Sequence, residues 1–142
     1  DRIQSFFPPE MHNQVWMDLS LNLKAMVAQQ LLPHKDGKGR TPVVEVLLNS
    51  PLIAEYIRKG EVHLIKELMA KSTELGMQTL DQALVKAYKD GLIDKEEALR
   101  FADSANDVRL KIKMHERGEF GSGDGLGLAV DDHEEEGRFH GR

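Results

Sequence analysis

The sequence predicts an α/β fold that is mostly helical and contains one antiparallel pair of strands. Apolar residues recur at helical spacing in several segments, and two apolar runs flank a glycine-rich polar turn. Proline, glycine and capping-box signals separate the segments. The 142 residues, 40% of them hydrophobic, suffice for one domain with a packed core.

The first helix is signalled by Pro8, Pro9 and Glu10, since proline is tolerated in a first turn and an acid suits the positive end of the helix dipole. Its apolar stripe comprises Val15, Trp16, Leu19, Leu23, Met26 and Val27. This spacing predicts one long helix over residues 9–27, with Trp16 and the methionines packed in the core.

Two apolar runs surround the polar turn of residues 34–40, which predicts strands over residues 29–32 and 43–48. The second run is apolar apart from Glu45, as expected of a strand covered on both faces. Because two strands alone do not form a stable sheet, we expect the chain to be part of a larger protein. The isolated chain should then expose apolar surface and an open sheet edge, which favour aggregation or dimerisation.

The next helix begins with Ser50 as its N-cap and Pro51 at its first position, and it ends at Gly60. A further helix is expected over residues 62–73, in a segment that ends at Gly76.

Thr79 and Gln82 match the capping box, in which each of the two side chains accepts a hydrogen bond from a free backbone N–H at a helix start. The helix that follows closes at residues 90–91. Two more short helices are expected over residues 94–101 and from residue 104 to about residue 115.

The net charge of −5 lies entirely in residues 118–142, which contain seven acids and two bases. The neutral remainder has no concentrated basic face for a nucleic acid. Five glycines within residues 118–127, followed by an acidic run, leave little to bury, so we expect residues 118–142 to be disordered.

No catalytic or metal-binding motif is found. Gly37-Lys38-Gly39 fails the phosphate-binding pattern G-x-x-x-x-G-K-[ST], whose backbone N–H groups and lysine hold the phosphates. No two histidines share the short helical spacing of a metal pair, and the acids around His133 are more typical of a solvated tail. The absence of cysteine excludes thiolate zinc sites and disulfides, and no membrane span or signal peptide is recognised, so the default location is cytoplasmic.

Four segments within residues 1–101 have the order and spacing of a known family. They are Arg2-Ile3 with Phe7-Pro8, residues 26–32, Gly39-Arg40 before Val44-Glu45-Val46, and the hexapeptide Gly76-Met77-Gln78-Thr79-Leu80-Asp81. Together they resemble the type IV pilus retraction ATPases of the PilT/PilU family. The hexapeptide is the most specific of the four.

The resemblance implies the C-terminal part of a RecA-like P-loop ATPase domain, with residues 1–49 as the rear of the ATPase core. Residues 50–117 would form a C-terminal helical region and residues 118–142 a tail. Such proteins form a hexameric ring on the cytoplasmic side of the inner membrane and drive pilus retraction, and hence twitching motility. The implied cofactors are ATP and Mg, and the implied partners are other copies of the chain, a paralogous retraction ATPase and the inner-membrane platform protein.

The family's Walker A, aspartate-rich, Walker B and histidine motifs all precede the matched stretch, so the chain should neither bind nor hydrolyse ATP alone. The four-cysteine zinc loop of pilus assembly ATPases has no counterpart here, which favours retraction over extension. The retraction motif A-I-R-N-L-I-R-E agrees with residues 52–59 only at Ile53, Ile57 and Arg58. That divergence and the acidic tail resemble the accessory PilU branch of the family.

Each of these residues also has a plainer interpretation. Ile53 and Ile57 suit a helix core, Arg58 suits the negative end of a helix dipole, and Arg40 is either close to nucleotide or a solvated loop arginine. The hexapeptide is fully explained as a helix start. The alternative function is a non-catalytic helical module that binds a protein partner.

Overall fold

A computed structural model describes residues 2–120 of the chain, with side-chain environments as far as Gly118. The helices are α1 (His12–Asn22), α2 (Pro51–Lys59), α3 (Ile65–Lys71), α4 (Leu80–Lys89), α5 (Lys95–Phe101) and α6 (Ala105–Phe120). The strands are β1 (Ala25–Pro33) and β2 (Arg40–Leu48), and short 3-10 turns cover Gln4–Phe6, Pro9–Met11, Val62–Leu64 and Thr73–Leu75. The predicted α/β class with an antiparallel strand pair is confirmed.

The first helix is shorter than the sequence predicts. α1 ends at Asn22, and the backbone is already extended at Leu23 (φ −59°, ψ 136°). The side-chain amide of Asn49 donates to the carbonyls of Ser20 and Leu23, at 3.0 and 2.9 Å, and so satisfies carbonyls at the helix end. The prediction of a helix through residue 27 is wrong because the next residues pair with β2 instead.

The two strands form an antiparallel hairpin in register from Ala25 opposite Leu48 to Pro33 opposite Arg40. Both strands begin earlier than predicted. The connecting turn needs two left-handed residues, supplied by Gly37 (φ 72°) and Gly39 (φ 84°).

The described helices cover only one face of this hairpin. Leu32, Val43 and Leu47 are buried on that face, whereas Val27 and Leu31 on the other face are 63% and 51% exposed. Within residues 2–120, the outer edge of β1 has no strand partner. The sequence predicted that β2 would be covered on both faces. The structure covers it on one face, because the described helices form a single layer. The expected exposed apolar surface and open edge are both observed.

α2 has the predicted boundaries. Ser50 Oγ accepts from the Ile53 N–H at 3.5 Å, and Gly60 adopts φ 71°. The N–H groups of Gly60 and Glu61 donate to the carbonyls of Ile57 and Tyr56, which closes the helix in a Schellman motif. The following stretch, expected as one helix over residues 62–73, is divided into a 3-10 turn, α3 and a second 3-10 turn that ends at Gly76 (φ 89°).

α6 extends beyond its predicted end at residue 115. Val108 and Ile112 are fully buried against the neighbouring helices, and Glu116 accepts from Tyr88 Oη at 3.0 Å and from Lys95 Nζ at 3.0 Å. These contacts stabilise the last turns of α6. Residues 118–120, expected as part of the disordered tail, are therefore helical, and residues 121–142 lie outside the described residues.

The core has two parts, and the hairpin contributes to both. The α4–α6 cluster comprises Leu32, Val43, Leu80, Ala83, Leu84, Val85, Ala87, Ile93, Ala98, Val108 and Ile112. The α1–α3 cluster comprises Leu47, Ile53, Ile57, Met69 and Met77, with Trp16 and Leu19 packed against it. None of the described helices combines the length and apolar character needed to cross a membrane.

Candidate functional site

The signature segment (residues 76–81) connects the hairpin with three helices. It begins where Gly76 adopts φ 89°, a conformation that glycine takes without strain. Met77 follows and is 2% exposed in the α1–α3 cluster. The chain thereby enters the core immediately before it reaches β2.

Gln78 attaches this segment to the edge of β2. Its N–H donates to the Val46 carbonyl at 3.0 Å, and its carbonyl accepts from the Val46 N–H at 2.8 Å. The side-chain amide donates to the Val44 carbonyl at 2.7 Å. Three hydrogen bonds from one residue thus extend the sheet by a single isolated bridge.

Thr79 starts α4 through the predicted capping box. Thr79 Oγ1 accepts from the Gln82 N–H at 3.3 Å, and Gln82 Oε1 accepts from the Thr79 N–H at 3.0 Å. The same Gln82 side chain donates to the Ala70 carbonyl at 3.0 Å. The helix start is therefore also attached to α3.

Glu45, the one acid in the apolar strand β2, also serves this helix start. Its Oε1 atom lies 3.4 Å from the Leu80 N–H, which donates to it. A carboxylate in this position interacts favourably with the positive end of the α4 dipole. This explains an acidic residue that the strand pattern leaves without a role.

Asp81 joins the segment to α6. Its Oδ1 and Oδ2 atoms accept from the N–H groups of Asp103 and Ser104 at 2.8 and 3.0 Å, immediately before α6 begins. Asp103 in turn forms an ion pair with Lys66 of α3. Burial opposes the charge on Lys66, but hydrogen bonding and attraction to Asp103 outweigh it and raise the Lys66 pKa.

Of the motif-like residues of α2, two belong to the core and one to the surface. Ile53 and Ile57 are 0% and 4% exposed in the α1–α3 cluster. Arg58 is exposed, and it makes no hydrogen bond or ion pair with the described part of the chain. The neighbouring Lys59 forms an ion pair with Glu55 at 2.7 Å.

Arg40 lies apart from these residues. It is exposed at the turn end of the hairpin, paired with Pro33, whereas α2 follows the opposite end of β2. Leu48 lies eight positions after Arg40, which corresponds to roughly 26 Å along β2. The structure therefore brings the signature segment next to the α1–α3 cluster but does not bring Arg40 to either.

The turn beside Arg40 is held rigidly. Asp36 accepts from the Lys38 N–H at 2.7 Å and contacts His34 Nδ1 at 2.8 Å. The hydrogen bond from the Lys38 N–H holds the Asp36 pKa below its ordinary value, with His34 contributing further. The Lys35 N–H donates to the Leu92 carbonyl at 2.9 Å, so the turn is attached to the connection between α4 and α5.

An apolar groove of about 470 Å³ opens between α1, the hairpin and α3. Its lining includes Trp16, Leu19, Leu23, Met26, Leu47 and Met69, with the polar groups of Glu45, His63 and Lys66 at its border. No group of three or more metal-ligating side chains occurs among residues 2–118. The acidic run around His133 lies outside the described residues.

The capping box could be predicted from the sequence, but its connections to other elements could not. The roles of Glu45, Asp103 and Lys66 depend on contacts between segments far apart in the chain. The only sequence signal was the unexplained acid within an apolar strand.

The chain is similar in sequence to ATPases of type IV pili. No family model matches the chain. It is 66% identical over 114 residues to the type IV pilus ATPase PilU of Pseudomonas aeruginosa, a match that covers 80% of this chain and 30% of that protein. It is 35% identical over 98 residues to the type IV pilus retraction ATPase PilT of the same organism, which covers 69% of this chain and 28% of that protein.

A solved structure of the pilus retraction motor PilT with bound ADP superposes with a TM-score of 0.66 and 32% identity, over 77% of this chain and 30% of that one. Over the matched residues the chain belongs to the PilT/PilU family of type IV pilus retraction ATPases, with greater identity to PilU than to PilT. The chain spans under a third of the length of these relatives.

Proposed function

We propose that this chain is the C-terminal part of a hexameric, ATP-driven motor that retracts type IV pili and thereby supports twitching motility. The observation that carries the proposal is the 66% identity to PilU over most of the chain. ATP and Mg would be bound by the remainder of such a motor, and residues 1–142 alone would neither bind nor hydrolyse ATP.

Within the motor, residues 1–49 would complete the ATPase core and residues 50–117 would form the helical region that contacts neighbouring subunits. The signature segment supports a mechanical connection between these two regions, because its hydrogen bonds attach β2 to α3, α4 and α6. A displacement of the hairpin would therefore move these helices with it. The partners would be other copies, a paralogous retraction ATPase and the inner-membrane platform protein, at the cytoplasmic side of the inner membrane.

Arg58 is our candidate for a contact between subunits. An exposed guanidinium with no hydrogen bond or ion pair to residues 2–120 is available to a carboxylate on a neighbouring subunit. Ile53 and Ile57 hold α2 against the core and so fix the direction in which Arg58 projects. Arg40, exposed beside a rigid turn, is the candidate for a contact near the nucleotide.

The proposal is tested in a chimera in which this chain replaces the matching residues of Pseudomonas aeruginosa PilU. We expect the chimera to form hexamers, bind ATP and restore twitching in a strain that lacks PilU, whereas titration calorimetry on the chain alone should detect no specific ATP binding. A hexameric chimera that binds ATP but fails to support twitching would contradict the proposal. So would specific ATP binding by the chain alone.

The role of Arg58 is tested in the same chimera by comparing Arg58→Ala with Lys59→Ala. Both side chains are exposed at the end of α2, but Lys59 is already engaged by Glu55. We expect the Arg58 variant to lose twitching and the increase in ATPase activity that accompanies assembly. The Lys59 variant should retain both. Equal activities of the two variants would exclude Arg58 from the interface.

A further inference from the structure

The outward face of α6 carries an apolar patch beside a row of bases. Leu110 and Met114, four residues apart and therefore on one side of the helix, are 59% and 65% exposed. Arg109, Lys113 and Arg117 follow the same four-residue spacing and form an adjacent row, and all three are exposed. We call these five residues the α6 patch.

The inward face of α6 already packs against the neighbouring helices. Val108 and Ile112 are inaccessible, and Glu116 is engaged by Lys95 and Tyr88. Arg109 makes one local hydrogen bond, to Asn106 Oδ1 at 3.1 Å. The α6 patch therefore contributes little to the fold of residues 2–120, and an exposed apolar pair flanked by bases suits a partner that is apolar and acidic.

The chain itself contains such a segment a few residues after α6. Residues 126–130 are Leu-Gly-Leu-Ala-Val, and residues 131–136 contain five acids and one histidine. Residues 121–142 as a whole contain six acids and two bases, a net charge of −4. Apolar residues followed directly by acids match the pair of features that α6 presents.

The spacing of the two segments also agrees. In an extended chain Leu128 and Val130 would project to the same side about 6.7 Å apart, and Met114 and Leu110 are about 6 Å apart along α6. With the tail running antiparallel to α6, Leu128 would cover Met114 and Val130 would cover Leu110. The acids that follow would then reach Arg109 and the positive end of the α6 dipole.

The connection is long enough for this arrangement. Met114 lies about 9 Å along the helix from Phe120, and the seven residues 121–127 can span up to about 24 Å. A segment tethered this closely has an effective concentration of about a millimolar, so that a weak contact is populated. We propose that the α6 patch is a docking surface for residues 126–136 of the same chain.

The absence of native cysteine permits a direct test on the full chain. A nitroxide attached at Ala129→Cys should broaden the nuclear magnetic resonance signals of the Leu110 and Met114 methyl groups. It should leave the methyl groups of Val27 and Leu31, on the exposed face of the hairpin, unchanged. Absence of broadening on α6, or stronger broadening on the hairpin, would overturn the proposal.

A mixture of spin-labelled chain with isotope-labelled chain distinguishes docking within one chain from docking between copies. We expect broadening only when both labels are on the same chain, and the opposite result would overturn the proposal. Lys113→Glu should weaken docking about threefold or more, as judged from the broadening, because it replaces an attraction by a repulsion. The matched variant Lys38→Glu, in the exposed hairpin turn, should have no effect, and equal effects of the two would refute the role of the α6 patch.

Discussion

Asp81 provides the sharpest test of the idea that the signature segment holds separate elements together. Asp81→Ala removes both acceptors for the N–H groups of Asp103 and Ser104. Hydrogen bonds to a charged group contribute about 1.5–3 kcal/mol each when buried, but the first of these is exposed and the second only partly buried. Allowing for water at the exposed site, we expect a loss of about 2–3 kcal/mol in the free energy of unfolding.

The loss should appear in urea unfolding of the full chain, followed by far-ultraviolet circular dichroism. Asp107→Ala is the matched control, because Asp107 lies in the first turn of α6, as Asp81 lies in the first turn of α4, but forms none of these hydrogen bonds. Its interaction with the helix dipole accounts for about 0.3–1 kcal/mol. If Asp81→Ala is no more destabilising than Asp107→Ala, the inference that Asp81 attaches α6 to the signature segment is wrong.

Three further predictions follow from contacts elsewhere in the molecule. Hydrogen bonds from Lys95, and next from Tyr88, hold the pKa of Glu116 below its ordinary value of 4.5. The ionised group therefore stabilises the fold above pH 4.5, and this contribution is lost as the pH falls through the lowered pKa. Glu116→Gln should accordingly flatten the acid limb of a stability–pH curve. Gly60→Ala should lower the free energy of unfolding in urea by about 1–2 kcal/mol, because φ is 71° and the new Cβ would lie 3.4 Å from Trp16 Nε1. Gly118→Ala, which has open space around it, should not destabilise the fold. Val27→Thr with Leu31→Thr should reduce self-association in sedimentation velocity, and Leu75→Thr, which is similarly exposed but outside the hairpin, should reduce it less.

The elements that sequence predicted best are those whose signals are local. Ser50 and Pro51 define the start of α2 and Gly60 defines its end, and Thr79 with Gln82 defines the start of α4. In each case the residues that cap a helix lie in the helix or next to it. Their chemistry is therefore readable without knowing what the helix packs against.

The first helix shows where such signals fail. Leu23, Met26 and Val27 continue a helical pattern, but Met26 pairs with Leu47 and Val27 with Val46 across the hairpin. An apolar spacing of three or four residues is compatible with both structures, and the pairing partner decides between them. The role of Asp81 escaped prediction for a related reason, since its partners lie 22 and 23 positions further along the chain.

The bridge between Val46 and Gln78 has a consequence for the order of folding. The hairpin closes through a short turn, whereas the Gln78 side chain reaches a carbonyl 34 positions away in the sequence. Closing that loop costs chain entropy before any of its contacts form, so it is a natural barrier step in folding. We therefore expect Gln78→Ala to slow refolding more than it accelerates unfolding, a difference that stopped-flow kinetics would resolve.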